Sequence, residues 1–177
     1  MSLKKISVMV LAVLFVSSLS LAQTTGLYKK GGLYITPQIG LNSLSLPIGA
    51  SVEFGLTENI GIGGTVTYWG WNYDYGKATV IVLSAEALYH LTKLKLNKLD
   101  LYGGAGLGYG IYSFSWDSGY GPGSSYSTGS SGLDLGIIIG GRYYFSPKMA
   151  VSLRIMNSLI GSWSTLGAAI GVTFVIQ

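Results

Sequence analysis

The sequence predicts an all-β fold: eight antiparallel strands closed into an up-and-down transmembrane β-barrel. Three observations carry this. Segment after segment alternates apolar with small or polar residues at a period of two, which is the spacing of side chains leaving opposite faces of a sheet. Glycine is about twice its usual abundance, with 27 in 177 residues, and charged residues make up only 10%, less than half the usual fraction. The connections alternate between tight turns and longer loops.

The chain opens with a basic pair, Lys4 and Lys5, followed by an almost continuously apolar run from Ile6 to Val16 and then Ser20-Leu21-Ala22. This order describes a cleaved secretory signal over residues 1–22, cut near Ala22 and Gln23. The run is shorter than the ~20 residues that a helical membrane anchor needs. Residues 23–32 are then expected as a short periplasmic segment and 33–177 as the barrel. Without Lys4 and Lys5 the net charge falls from +4 to about +2, so the basic character belongs partly to the signal. There is no cysteine, so no disulfide framework supports the exported domain.

Strand one is predicted over 33–41, with Leu33, Ile35, Ile39 and Leu41 opposed to Tyr34, Thr36, Gln38 and Gly40. Strand two, 48–56, sets Ala50, Val52 and Phe54 against Ser51, Glu53 and Gly55. Strand three, 60–69, sets Ile62, Val66 and Tyr68 against Gly61, Gly63, Thr65 and Thr67. Strand four, 79–91, sets Ile81, Leu83, Ala85, Ala87 and Tyr89 against Ser84, Glu86 and His90. Strand five, 99–112, opposes Leu101, Leu107 and Tyr109 to Asp100, Tyr102 and glycines. Strand six, 133–145, opposes Leu135, Ile137, Ile139 and Tyr143 to Asp134, Gly136, Arg142 and Tyr144. Strand seven, 149–156, opposes Val151, Leu153 and Ile155 to Ser152 and Arg154. Strand eight, 166–177, opposes Ile170, Val172, Phe174 and Ile176 to Gly171, Thr173 and Val175.

Alternation alone leaves open which row faces the interior, since a soluble barrel also alternates. Four features favour apolar outside. The second row is mostly Gly, Ser and Ala, which suits a crowded narrow lumen better than a watered face. Strand lysines, the usual guards of exposed edges, are almost absent. Aromatics gather at strand ends, with Tyr68, Trp69, Trp71, Tyr109, Tyr112, Trp116 and Trp163 toward the long loops and Tyr89, Tyr143 and Phe145 toward the turns, as two interfacial girdles would require. Strands of about ten residues, tilted near 45°, span the ~25 Å apolar band. Closure also satisfies every edge hydrogen bond, which lipid would otherwise leave unmade.

On these features the chain resembles the small eight-stranded outer-membrane barrels, the group of the outer membrane protein A transmembrane domain and outer membrane protein X. The likeness spans the whole mature chain and rests on the leader, the eight alternating segments, the turn asymmetry and a C-terminal strand ending Thr173-Phe174-Val175-Ile176-Gln177. Members commonly end in an aromatic residue; here the aromatic, Phe174, lies further in. The resemblance implies an outer-membrane location and insertion by the outer-membrane assembly machinery. It also implies a monomer in contact with outer-membrane lipid and lipopolysaccharide.

The inner row is expected to carry a polar network of Glu53, Glu86, Asp100, Asp134, Arg142 and Arg154. Unpaired charge in a narrow lumen is costly, so the pairs expected are Glu53 or Glu86 with Arg154, and Asp100 with Arg142. A gate or narrow ion path is the sharper reading of this network; filling and orienting the barrel is the plainer one. His90 is the only histidine and is expected beside Asp100 across a periplasmic turn, without the serine neighbour that lipid deacylases of this class show. Catalytic residues, a metal site and cofactors are therefore not expected. No basic stripe suggests nucleic acid. Candidate surface contacts lie on the long loops: Trp71, Tyr73 and Tyr75 in one, Trp116, Tyr120 and Tyr126 in the other. The function expected is a non-enzymatic envelope barrel with surface contact through its loops, or alternatively a small pore or hydrophobic-solute channel.

Overall fold

The computed structural model describes residues 28–41, 46–94, 96–116, 127–161 and 167–176. The chain forms β1 (Leu33–Leu41), β2 (Ile48–Gly55), β3 (Ile60–Tyr73), β4 (Gly76–His90), β5 (Leu99–Trp116), β6 (Ser127–Ser146), β7 (Met149–Gly161) and β8 (Gly167–Ile176). Each strand pairs antiparallel with its chain neighbour, and β1 pairs with β8 through Leu33↔Ile176 and Ile39↔Ile170, which closes the barrel. Closure leaves no open edge, so every strand finds a partner on both sides.

Through most of its height the barrel is inverted relative to a soluble protein. Val52, Leu83, Leu107, Leu153 and Ile170 point outward and are 46–54% exposed. Thr36, Ser51, Thr65, Ser152 and Thr173 point inward and are buried. The Thr36 and Thr173 hydroxyls bond each other across the β1–β8 seam at 2.8 Å. A continuous apolar outer belt of this kind cannot face water at reasonable cost, and it matches the hydrocarbon layer of a bilayer.

Five of the strands, β3 to β7, are longer than their alternation suggests. The segment 70–78, expected as a loop, continues the β3–β4 hairpin to Tyr73↔Gly76, leaving only Asp74 and Tyr75 as the turn. β5 and β6 stay paired up to Ser115↔Ser127, and β7 runs on to Gly161. In β3, β4 and β5 the reason is physical: above the belt the two rows exchange polarity. In β3 the inward row becomes Trp69, Trp71 and Tyr73 while Asn72 faces out. In β4, Ala78 and Val80 are buried within, and Lys77 is exposed. In β5 the outward apolar run Leu107, Tyr109, Ile111 gives way to Ser113 and Ser115, with Phe114 buried inside. The same sheet thus has lipid-type polarity below and water-type polarity above, as expected where it leaves the membrane.

That exchange also corrects the aromatic girdle. Tyr68 and Tyr109 face outward at 37% and 44% exposure, and Tyr89 and Tyr143 do so at the turn end. Trp69, Trp71, Tyr112 and Trp116 lie on the inward row, so they belong to the interior of the projecting sheet and not to a lipid-facing ring. Trp163 and Leu166 lie outside the described residues, as do residues 1–27.

Candidate functional site

The inward row builds three layers. At the turn end, β2 supplies Glu53, the last residue of β4 is His90, the second residue of β5 is Asp100, and β6 supplies Arg142. Asp100 and Arg142 are direct cross-strand partners. The His90 ring is enclosed, with Nε2 2.7 Å from Glu53 Oε1 and Nδ1 2.9 Å from Asp100 Oδ1. Arg142 Nη2 donates to Glu53 Oε2, and its Nη1 lies 3.7 Å from Asp100 Oδ2. All four residues are at most 4% exposed, so each charge depends on its partners for solvation. The Arg142 guanidinium also sits 5.0 Å from the centres of both the Tyr34 and Tyr102 rings.

Glycine makes room for this cage. A Cβ at Gly61 would run into the Glu53 carboxylate, and one at Gly140 would run into the Tyr102 ring. The segment before β1 closes it from below. Tyr28 stacks on His90 with ring centres 3.6 Å apart and planes 9° apart, and stacks on Tyr34 at 5.4 Å. The turn holding Tyr28 is pinned by Gly31 N donating to Gly55 O at 2.7 Å and by Lys29 N donating to the Tyr34 hydroxyl at 2.8 Å. Burial next to the Glu53 carboxylate pushes the Tyr28 phenol well above its ordinary pKa. Tyr28, Tyr34, Tyr144, Ala150 and Val175 pack together as the floor.

Above the cage, Leu88, Tyr102 and Ile138 pack against Met156 and fill the lumen. Next comes a separate ion pair, in which Arg154 Nη2 donates to Glu86 Oε2 at 2.8 Å and Nη1 to Thr65 Oγ1 at 3.3 Å. Ser84 Oγ donates to the other Glu86 oxygen at 3.1 Å. Of the two acids expected beside Arg154, Glu86 is its partner and Glu53 is not; Glu53 belongs to Arg142 and His90. Strand tilt explains the error, because a hydrogen-bonding row climbs as it goes around a barrel. Glu53, Gly63 and Glu86 lie on one such row, which continues through Gly106 and Gly136 to Ser158. Glu53 therefore sits a layer lower than Glu86.

Beyond the Glu86–Arg154 pair the lumen opens into a cup of about 840 Å³, its open mouth included, walled by Gln38, Thr65, Trp69, Asp134, Ile138 and Met156. Asp134 accepts a hydrogen bond from Ser158 Oγ in its wall. Beneath this cup lie the Leu88, Tyr102 and Ile138 layer and the Arg142 cage.

The outer crown is the third feature. Tyr73 and Tyr75 stack at 5.5 Å, and Tyr75 and Trp116 at 5.6 Å. Phe114 meets Trp116 edge-on at 5.0 Å, and Trp71 meets Tyr73 at 6.4 Å. Tyr73 and Tyr75 remain 43% and 41% exposed. Trp71, Tyr73, Tyr75 and Trp116, assigned to two loops from sequence, are thus one cluster on the β3–β4–β5 extension. Tyr120 and Tyr126 lie outside the described residues. The buried residues that sequence reasoning passed over are Tyr28, Phe114 and the tyrosines of the inner row. Tyr34, Tyr102 and Tyr144 share the parity of the charged residues, and that was the available signal.

No protein-family model and no curated protein matches the chain. Solved structures do. OprG from Pseudomonas aeruginosa superimposes with a TM-score of 0.65 at 10% identity, covering 85% of this chain and 98% of that one. The N-terminal β-barrel domain of Pseudomonas aeruginosa OprF gives 0.62 at 16% identity, covering 84% and 100%. A de novo designed transmembrane β-barrel gives 0.51 at 16%, covering 84% and 98%. At such identities the likeness is one of fold, and a fold by itself does not assign a function. By fold, the chain is a small eight-stranded β-barrel of the outer-membrane type.

Proposed function

We propose that this protein is a non-enzymatic envelope barrel that presents the aromatic crown of β3–β5 for surface contact, with a closed lumen that serves as its structural core. The observation that carries this is the projecting sheet itself. Its inward row of Trp71, Tyr73, Phe114 and Trp116 continues above the lipid belt and leaves Tyr73 and Tyr75 open to solvent. Rigid aromatic rings offer large contact area at low entropic cost. A barrel needing only to anchor would have no use for them.

The pore reading is weaker, because the apolar layer, the Arg142 cage and the Tyr28 floor follow one another below the cup. Catalysis by His90 is likewise disfavoured: both ring nitrogens face carboxylates and Tyr28 covers the ring, so no substrate atom has a line to it. The surroundings proposed are outer-membrane lipid and lipopolysaccharide around the belt, with insertion by the assembly machinery as a monomer. The leader 1–22 is proposed to be removed on export, which a mature mass beginning at Gln23 would check. The test of surface contact is adhesion of cells displaying wild type against Tyr73→Ser/Tyr75→Ser, with folding verified by heat-modifiable gel mobility. Reduced adhesion at equal display supports the reading, and undiminished adhesion removes it.

A further inference from the structure

Charge divides sharply between the two ends of the barrel. Among the described residues the turn end carries Lys29, Lys30, Lys93, Lys98 and Lys148, with Glu58 the only acid in its turns. At the loop end stands a single lysine, Lys77, against Asp74 and the wall carboxylate of Asp134. The lysines of the turn end are accompanied by hydrocarbon. In the β4–β5 connection Leu91, Leu94 and Leu96 are 43%, 56% and 38% exposed, interleaved with Lys93 and followed by Lys98. A connection standing free in water has no reason to present three leucines.

This connection is also fixed in place. Leu91 N donates to Leu101 O at 2.8 Å, and Leu94 N to Leu91 O at 3.0 Å within the short helical turn Thr92–Leu94. Asn59 of the neighbouring turn donates Nδ2 to His90 O at 3.1 Å and also bonds the Thr92 hydroxyl. Lys98, in a left-handed conformation with φ 60°, accepts at its carbonyl from Tyr144 N at 2.8 Å, which ties the connection to β6 close to Lys148. Immediately toward the barrel centre lie the outward rings of Tyr89 and Tyr143. Leucines at the hydrocarbon boundary with ammonium groups just beyond it reproduce the two-layer chemistry of an anionic lipid surface.

We propose that the β4–β5 connection, with Lys148 beside it, is a docking site for the headgroups of anionic phospholipids in the leaflet at the turn end of the barrel. The leucines enter the acyl boundary and Lys93, Lys98 and Lys148 bind phosphate. The lipid is chosen over an acidic soluble partner because the exposed leucines demand an apolar neighbour as well as an anionic one. The inference rests on the barrel's placement in a membrane, and heat-modifiable mobility in lipid reports that placement separately.

The test uses the full barrel refolded into phosphatidylcholine vesicles containing trace spin-labelled phosphatidylglycerol or phosphatidylcholine. The motionally restricted spectral fraction gives the relative affinity of each lipid for the barrel surface. Wild type is expected to prefer phosphatidylglycerol about threefold at low salt, with the preference fading as salt screens the lysines. Lys93→Gln/Lys98→Gln/Lys148→Gln should lower the ratio by at least half of its excess over one, with Lys29 and Lys30 accounting for the remainder, whereas Lys77→Gln on the opposite rim should leave it unchanged. The salt series on wild type needs no variant, so a triple variant that fails to fold does not block the test. Equal affinities in wild type, a preference insensitive to salt, or equal loss in Lys77→Gln would each overturn the proposal.

Discussion

Replacing Arg142 by methionine is the most demanding perturbation of the lumen. The side chain keeps much of its length, so the loss is of charge and not of volume. Glu53 and Asp100, both 4% exposed, would be left with the His90 ring as their only shared described side-chain partner. Breaking a buried ion pair from one side costs about 3–5 kcal/mol, because the partner's desolvation is no longer offset. The guanidinium also lies against two tyrosine rings at 5.0 Å, and losing both contacts adds about 1–3 kcal/mol. The expected total is about 4–8 kcal/mol from these two sources. Guanidinium unfolding of the barrel in lipid vesicles, followed by tryptophan emission, would measure it. A cycle with Glu53→Gln separates the electrostatic part, since the double variant should recover about 1–3 kcal/mol of the summed losses. A loss below about 1 kcal/mol for Arg142→Met would refute the reasoning, because it would mean that water already solvates the cage.

The other predictions concern closure and the floor. In planar bilayers both wild type and Arg154→Ala should be silent, since the filled layers below the Glu86–Arg154 pair remain; discrete openings in the variant would make that pair a gate. Tyr28→Ala should cost about 2–4 kcal/mol through the lost stack on His90 and the unpacked floor, measured by the same unfolding assay. The phenol of Tyr28, with its pKa raised, stays neutral at pH values where a free tyrosine ionises. A 295 nm titration of wild type minus Tyr28→Phe should therefore show no step near pH 10. For an acid whose folded pKa is raised, the unfolded chain ionises first, so this group's stabilisation is intact below about pH 10 and is lost as pH rises beyond it.

Much of the fold was legible because lipid imposes a simple rule. Leu153 and Ile155 must face out while Ser152 and Arg154 face in, so period two over eight alternating segments fixes strand number and facing. The same rule hid the tops of the strands. Above the belt water replaces lipid, the apolar row crosses to the inside, and Trp71, Tyr73 and Phe114 break the pattern that marked strand below. Asp100 and Arg142, as cross-strand neighbours, were within reach of sequence reasoning. Glu53's true partners were not, because barrel tilt sets heights that residue counts along each strand do not contain. Nor did alternation say anything of Tyr28, which precedes the first strand and enters the lumen through the geometry of Lys29 to Gly32.

The central claim is that the apolar row faces lipid below a sharp boundary and faces inward above it. The chain has no cysteine, so single cysteines can be introduced and spin-labelled without background. Labels at Leu107, Tyr109 and Ile111 and at Ser113 and Ser115 of β5, all on one row, should be read in vesicles for collision with oxygen and with a water-soluble nickel complex. The account predicts oxygen-rich, nickel-poor contact at the first three positions and the reverse at the last two. Nickel access that is uniformly high along the row would contradict it.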